Sequence, residues 1–196
     1  MKAYKGFNKE LTSIFGDGKR EKCCFIPGET KTVEKSRTAD CGFHCCENPF
    51  DCLTYYGMDG DNRFFVVEAA GDIDEDANNR IACTQITLLE ELMPERFALE
   101  GMKYMIEHPD RDGWEQNHVR VTVRRDKAQA AEGGIAIARG SSPRVRGAIG
   151  STLGLIVENE EGIKSAKLLV VGEDLADRWL EMKGEREVQV VEEKND

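Results

Sequence analysis

"GGIAIARGSSPRVRGAIGSTLGLIVENEEGIKSAKLLVVGED", residues 133 to 174, carries the reading on which the fold turns. Short apolar runs surround Ile135, Val145, Leu155 and Leu169, and glycine-bearing turns separate them at intervals of roughly ten residues. Runs of this length, bounded by glycine, predict strands rather than helices. The spacing suits either the rungs of a short β-solenoid or a meandering sheet. Just upstream, "HVRVTVRR", residues 118 to 125, alternates strictly, which predicts a strand with Val119, Val121 and Val123 inward and Arg120, Thr122 and Arg124 outward. Downstream, "RWLEMKGEREVQV" predicts a last hairpin turning at Lys183 and Gly184.

The N-terminal part has a different texture. Residues 1 to 7 alternate weakly and predict a first strand with Ala3 and Lys5 on one face and Tyr4 on the other. Gly16, Gly18, Pro27 and Gly28 then mark turns. "GFHCC" extends as a second strand, and Asn48, Pro49, Asp51 and Gly57 supply the cap, first-turn and closing residues of a short helix over 49 to 56. "RFFVVEAAG", residues 63 to 71, is rich enough in β-branched and aromatic residues for a buried strand. From Ile86 to His108 the apolar residues predict helix, with Leu88 and Leu92 sharing a face and Pro94 dividing two helical pieces. These elements together predict an α+β protein. A mixed α/β domain would span 1 to 130, and a glycine-rich β-sheet or short β-solenoid-like part with a C-terminal hairpin would span 131 to 196, packed on the first.

A chain of 196 residues, 40% hydrophobic and 33% charged, is long enough to bury a core without staples. No run of 18 apolar residues and no signal-peptide pattern occurs, so a cytoplasmic location is expected, with no membrane partner. Seven cysteines in such a compartment read as buried thiols rather than bridges. The net charge of −10 argues against generic duplex-DNA binding. It is unevenly spread: Asp72 to Glu115 holds twelve acids against four bases, and Arg120 to Gly150 holds seven bases against two acids. That dipolar distribution can steer a charged partner. Asp72, Asp74 and Asp76 would face a basic channel, while Arg120, Arg124, Arg125, Arg139, Arg144 and Arg146 would contact acidic rim residues or nucleic acid.

"CGFHCCENPFDCLTYY", residues 41 to 56, concentrates thiols and one histidine. A zinc site needs four converging ligands, and Cys41, His44, Cys46 and Cys52 form the set to be considered. A strand over 42 to 46 would turn Cys41 and Cys45 away from His44 and Cys46, however, and no paired Cys-x-x-Cys spacing supports the metal. Cysteine as a small hydrophobe fits the segment better. Other templates fail on particular residues. The Asp72, Asp74, Asp76 alternation resembles a calcium loop but meets Ala77 where glycine is required and Cys83 where glutamate is required. The glycine runs lack the Lys-Ser/Thr ending of a P-loop, and no Gly-x-Ser-x-Gly occurs.

"MKAYKGF", "CGFHCCENPFDCLTYY" and "FFVVEAAGDI", with the later "GGIAIARG" and "GAIGSTLGLIV", resemble an uncharacterised family of small proteins of phages, prophages and bacterial mobile elements. The resemblance implies action inside a host bacterial cell. The order of strand, "GFH" strand, helix ending in Tyr55 and Tyr56, and "FFVVEA" strand is also similar, remotely, to the ADP-ribosyltransferase core. That likeness implies an NAD pocket lined by His44 with Tyr55 or Tyr56, and Glu68 or Glu158 as the acid opposite the oxocarbenium-like transition state. The expected function is an interaction protein without a cofactor that binds and inhibits a host component, such as a nuclease or its nucleic-acid complex, as an anti-defence protein of anti-CRISPR type would. The alternatives are an NAD-dependent transferase and a zinc-stabilised module.

Overall fold

Alternation at period two runs through most of the chain, and strands follow from it. A computed structural model describes residues 1–13, 23–76 and 80–192. The turns read at Gly16 and Gly18, and Ala77 of the acidic loop, lie outside the described residues. The chain divides into two compact units, Met1–Met93 and Pro94–Asp196. The division falls ahead of the helix.

In the first unit, β1 (Lys2–Asn8), β2 (Thr12–Ser13), β3 (Cys23–Cys24), β4 (Thr30–Thr32) and β5 (Phe43–Cys46) precede two long strands, β6 (Asn62–Glu75) and β7 (Arg80–Glu91). β7 pairs along one edge with β5 and then β4, and along the other with β6; β6 pairs with β1, and β1 meets β5. The antiparallel sheet therefore closes on itself. Its interior is filled by alternate residues of each strand, among them Ala3 and Phe7 of β1, Phe65, Val67 and Ala69 of β6, and Ile81, Cys83, Ile86 and Leu88 of β7. Phe7 stacks edge-on against Phe25 and Phe65 at centroid distances of 4.9 and 5.7 Å, the arrangement favoured by the ring quadrupole.

The second unit opens with α1 (Pro94–Glu107), in which Pro94 takes the first helical position where its missing N–H is harmless. Then follow β8 (Gln116–His118), β9 (Val121–Ala130), β10 (Ile135–Gly147), β11 (Thr152–Asn159), β12 (Gly162–Val170), β13 (Trp179–Lys183) and β14 (Glu187–Val191). β9, β10 and β11 lie parallel, with Ile135 registered on both Val121 and Thr152. β12 adds antiparallel to β11, and the β13–β14 hairpin pairs antiparallel with β10 at Arg144 and Val145, beyond the stretch of the same edge that carries β11. Buried alanines and branched aliphatics, including Ala136, Ala138, Val145, Leu153, Leu155 and Leu180, fill this unit's core. The helix lies on β10, β11 and β12.

Four expectations need correction. The fold class is predominantly β rather than α+β: the described residues contain fourteen strands, one α-helix and two short 3-10 turns. Ile86 to Glu91 belongs to β7, because Ile86 and Leu88 point inward while Gln85 and Leu89 face out, a period of two rather than 3.6. Residues 49 to 54 form a 3-10 turn, with Asn48 accepting from the Phe50 N–H at 3.1 Å as the cap. Val119 is 60% exposed because the chain turns at Arg120, with φ of 59°, before β9 begins. Among the described residues no helix is long and apolar enough to cross a membrane.

Candidate functional site

β1 and β5 share a single registered pair, Tyr4 with Cys46, the last residue of β5. A cavity of about 490 Å³ opens at this seam. Its walls come from Tyr4, Lys5 and Gly6 of β1, from Ala39 and the carboxylate-bearing Asp40, from Gly42 to Cys46, from the 3-10 turn and its exit at Cys52, Tyr55 and Tyr56, and from Arg80 of β7. The ring of Tyr56 lies directly on Gly6: a Cβ there would stand 2.6 Å from Tyr56 Cδ2, so only glycine lets the ring close this wall.

Polar groups converge on that apolar space. The ammonium of Lys5 reaches the His44 carbonyl at 2.6 Å, bridging the strands where their own hydrogen bonds end. Burial pushes the Lys5 amine below the ordinary lysine range. The ring of His44 is half-buried, and its Nε2 has no hydrogen-bond partner. Burial first, and the Lys5 charge second, lower its pKa and favour the neutral imidazole. Arg80 donates to Asp76 at 2.6 Å through Nε and also bonds Tyr55. Burial also raises the Tyr56 phenol.

All seven cysteines are free thiols. The Cys83 thiol donates to the Phe43 carbonyl at 3.5 Å, and the thiols of Cys45 with Cys83 and of Cys46 with Cys52 act on one another as neighbours. These contacts, together with burial, push Cys45 and Cys52 well above the usual thiol range. Among the described residues no three His, Cys, Asp or Glu side chains are grouped so as to hold a metal ion. Cys41 stands apart, in a bridge with Arg37.

The structure thus brings His44, Tyr55 and Tyr56 around one cavity and leaves Glu68 outside it, exposed on β6 opposite Lys2. Glu158 lies in the second unit, bound to Arg139 at 2.6 Å. Asp72 is exposed; Asp74 accepts from the Thr38 N–H and hydroxyl at 2.6 and 2.8 Å, which hold its carboxyl below the usual range. Lys5 was missed as a site residue although its signal is in the sequence, for alternation places it on the face of Ala3 and Phe7.

The basic residues of the second unit sort around two tryptophans. Trp114 lies between Arg125 and Arg139, with guanidinium carbons 5.2 and 5.0 Å from the ring centroid. Arg139 is buried there, bound to Glu158 and to the Pro109 carbonyl. Trp179 lies under Arg146 at 4.9 Å and Lys127 at 5.8 Å. A shallow groove of about 450 Å³, lined by Asn117, Thr122, Arg124, Lys127, Gln129 and Trp179, runs beside it. The Trp179 Nε1 is buried without an acceptor. Arg144 is held by Glu181 at 3.1 Å, and Arg120 is exposed at the turn before β9.

The first unit, closed sheet and cavity together, falls within a known family region. Residues 1–100 match the domain of unknown function DUF7666, and the chain belongs to that family. No curated protein and no solved structure matches the chain.

Proposed function

We propose that the chain is an interaction protein of phage or mobile-element origin that binds a host nuclease complex, with the Trp179 face of its second unit set against single-stranded nucleic acid. The observation that carries this reading is the indole of Trp179 flanked by Arg146 and Lys127, with Arg124 on the adjoining groove. An aromatic platform among cations suits single strands, because every base offers a face to stack and every linkage a charge to pair. The resemblance to phage and prophage proteins supplies the setting, and inhibition of a host defence nuclease is the outcome such binding would produce. Asp74 and Asp76 are held by Thr38 and Arg80 within the first unit, so the basic face is the better contact than an acidic mimic.

The test is to titrate the protein with a labelled 12-nucleotide single-stranded RNA, following anisotropy and tryptophan emission. Binding that quenches emission and is lost in Trp179→Ala supports the reading. Binding unchanged in Trp179→Ala, or none in low salt, overturns it. A host nuclease assay with the same variants then separates binding from inhibition.

A second reading is favoured by one observation: His44, Tyr55 and Tyr56 border a common cavity, as an NAD-using transferase would require. With Glu68 outside the cavity, its acid is not supplied from β6. Incubation with labelled NAD and host lysate tests it, and transfer of label to protein is the supporting result.

A further inference from the structure

Lys5 lies on the inward face of β1 between Ala3 and Phe7, both fully buried, and is itself 8% exposed. Its amine has one hydrogen bond, to a carbonyl, and lies 5.2 Å from the Phe7 ring centroid. Among the described residues it forms no ion pair with a carboxylate. A buried ammonium without a counter-ion is held only at considerable expense in solvation, and lysine escapes by releasing its proton. The side chains closest to it in charge terms are the thiols of Cys45, Cys52, Cys46 and Cys83, with the imidazole of His44 beside them. The thiols of Cys45 and Cys52 are held well above the usual range by their contacts with Cys83 and Cys46 and by burial, and supply no negative charge near neutral pH, while Cys83 is shifted the other way by its contact with Cys45.

The same residue lines a cavity large enough for a small organic molecule. A desolvated lysine in an apolar pocket is the setting in which an amine becomes a nucleophile toward carbonyl carbon.

We propose that Lys5 is a carbonyl-capturing amine whose cavity takes a small aldehyde with an aromatic or apolar body. The lone pair of Nζ forms a bond to the carbonyl carbon, and the carbonyl π pair moves to oxygen, which takes up a proton while nitrogen gives one up. The resulting carbinolamine expels its hydroxyl with one more proton as water, leaving an imine. The sum is amine plus aldehyde giving imine plus water, with no oxidant or reductant. His44, a residue of the cavity wall whose buried Nε2 has no hydrogen-bond partner, is the proton carrier between nitrogen and oxygen. Tyr4, Phe43, Tyr55 and Tyr56 select the apolar or aromatic body. The inference goes beyond both readings above and needs neither: it stands on Lys5 and its cavity alone.

The test uses the full chain with benzaldehyde and cyanoborohydride, which reduces the imine to a stable benzylamine. Intact mass and peptide mapping then locate the adduct. At pH 7, Lys5 is expected to label at least severalfold faster than Lys31 and Lys127, because burial lowers its amine. Labelling of Lys5 no faster than of Lys31 or Lys127 overturns the proposal, and this comparison needs no variant. Lys5→Met should lose the fast adduct while keeping the wild-type near-ultraviolet dichroism. His44→Gln should slow capture and flatten its pH profile without altering exposed lysines, and an unchanged rate there removes the proton-carrier role.

Discussion

At Lys5 the alternation of β1 would ordinarily place an apolar side chain, since positions 3 and 7 on the same face are fully buried. A lysine there weakens the closed sheet, and replacing a buried charge by an apolar residue of similar length is often neutral or stabilising by about 1–4 kcal/mol. Lys5→Met is therefore expected to unfold at equal or higher urea concentration than wild type at pH 7. A loss of more than about 1 kcal/mol would mean that the bond to the His44 carbonyl outweighs the burial of the amine. The pH dependence carries its own sign. The folded state holds the Lys5 amine below its ordinary 10.5, so between those two values the unfolded chain binds more protons. Wild-type stability accordingly climbs with pH across that window. Cys45 and Cys52, held above the ordinary thiol range, act oppositely only where unfolded thiols ionise, above about pH 8.5. Denaturation at several pH values below 10.5 should show a slope that is more positive in wild type than in Lys5→Met, the thiols contributing equally to both. Parallel lines would assign the slope to another group. The sequence placed Lys5 and Ala3 on one face; what it could not show is that β1 and β5 meet at this point, because that depends on a single pairing between residues 42 positions apart, Tyr4 with Cys46.

Among elements, the legible ones were those whose pattern had a single interpretation. "RFFVVEA" reads as a strand and is one, and the glycine at 184 turns the last hairpin with φ of 69°. Ile86 to Leu92 had two interpretations, since Ile86, Leu88 and Leu92 satisfy a period of two and Leu88 with Leu92 also satisfies the helical i,i+4 spacing. Pairing with β4 and β6 decides for the strand, and that information is tertiary. The helix that does form, α1, lies close against the sheet through Gly154: a Cβ there would come within 2.6 Å of Met102 Sδ and 2.9 Å of Ile137 Cγ1. Gly154→Ala should destabilise the protein by about 1–3 kcal/mol through overpacking. Met102→Ala alone should remove about 2–5 kcal/mol by leaving a cavity. Because the first change fills space that the second vacates, the double variant should be less destabilised than the sum of the two, with a coupling above about 0.5 kcal/mol. Additive values in urea unfolding would show that the sheet yields at Gly154 instead of the methionine.

Across the whole molecule, charge was legible as a distribution and illegible as a surface. Counting placed seven bases between Arg120 and Gly150, but the fold spends Arg139 and Arg144 on internal partners, Glu158 and Glu181, and sets Arg125 against Trp114. The tryptophans that organise these cations lie at 114 and 179, outside the basic run, and nothing local marks them. What remains for a partner at Trp179 is Arg124, Lys127 and Arg146.

This count fixes the last prediction. A single strand paired to three cations releases roughly two condensed counterions, so log affinity should fall against log salt with a slope near −2. Raising monovalent salt from 50 to 200 mM would then weaken binding by about 16-fold. The net charge of −10 adds repulsion that salt relieves, so the measured slope should be no steeper than this. Lys127→Ala and Arg124→Ala should each lower affinity and bring the slope closer to zero by about 0.7. Arg139→Lys, which keeps a charge at a buried internal pair, should leave the slope unchanged. Anisotropy titrations at four salt concentrations measure all of these. A slope near zero in the wild type would mean that stacking on Trp179 alone holds the strand, and a slope well beyond −3 would place the strand on more of the surface than this face provides.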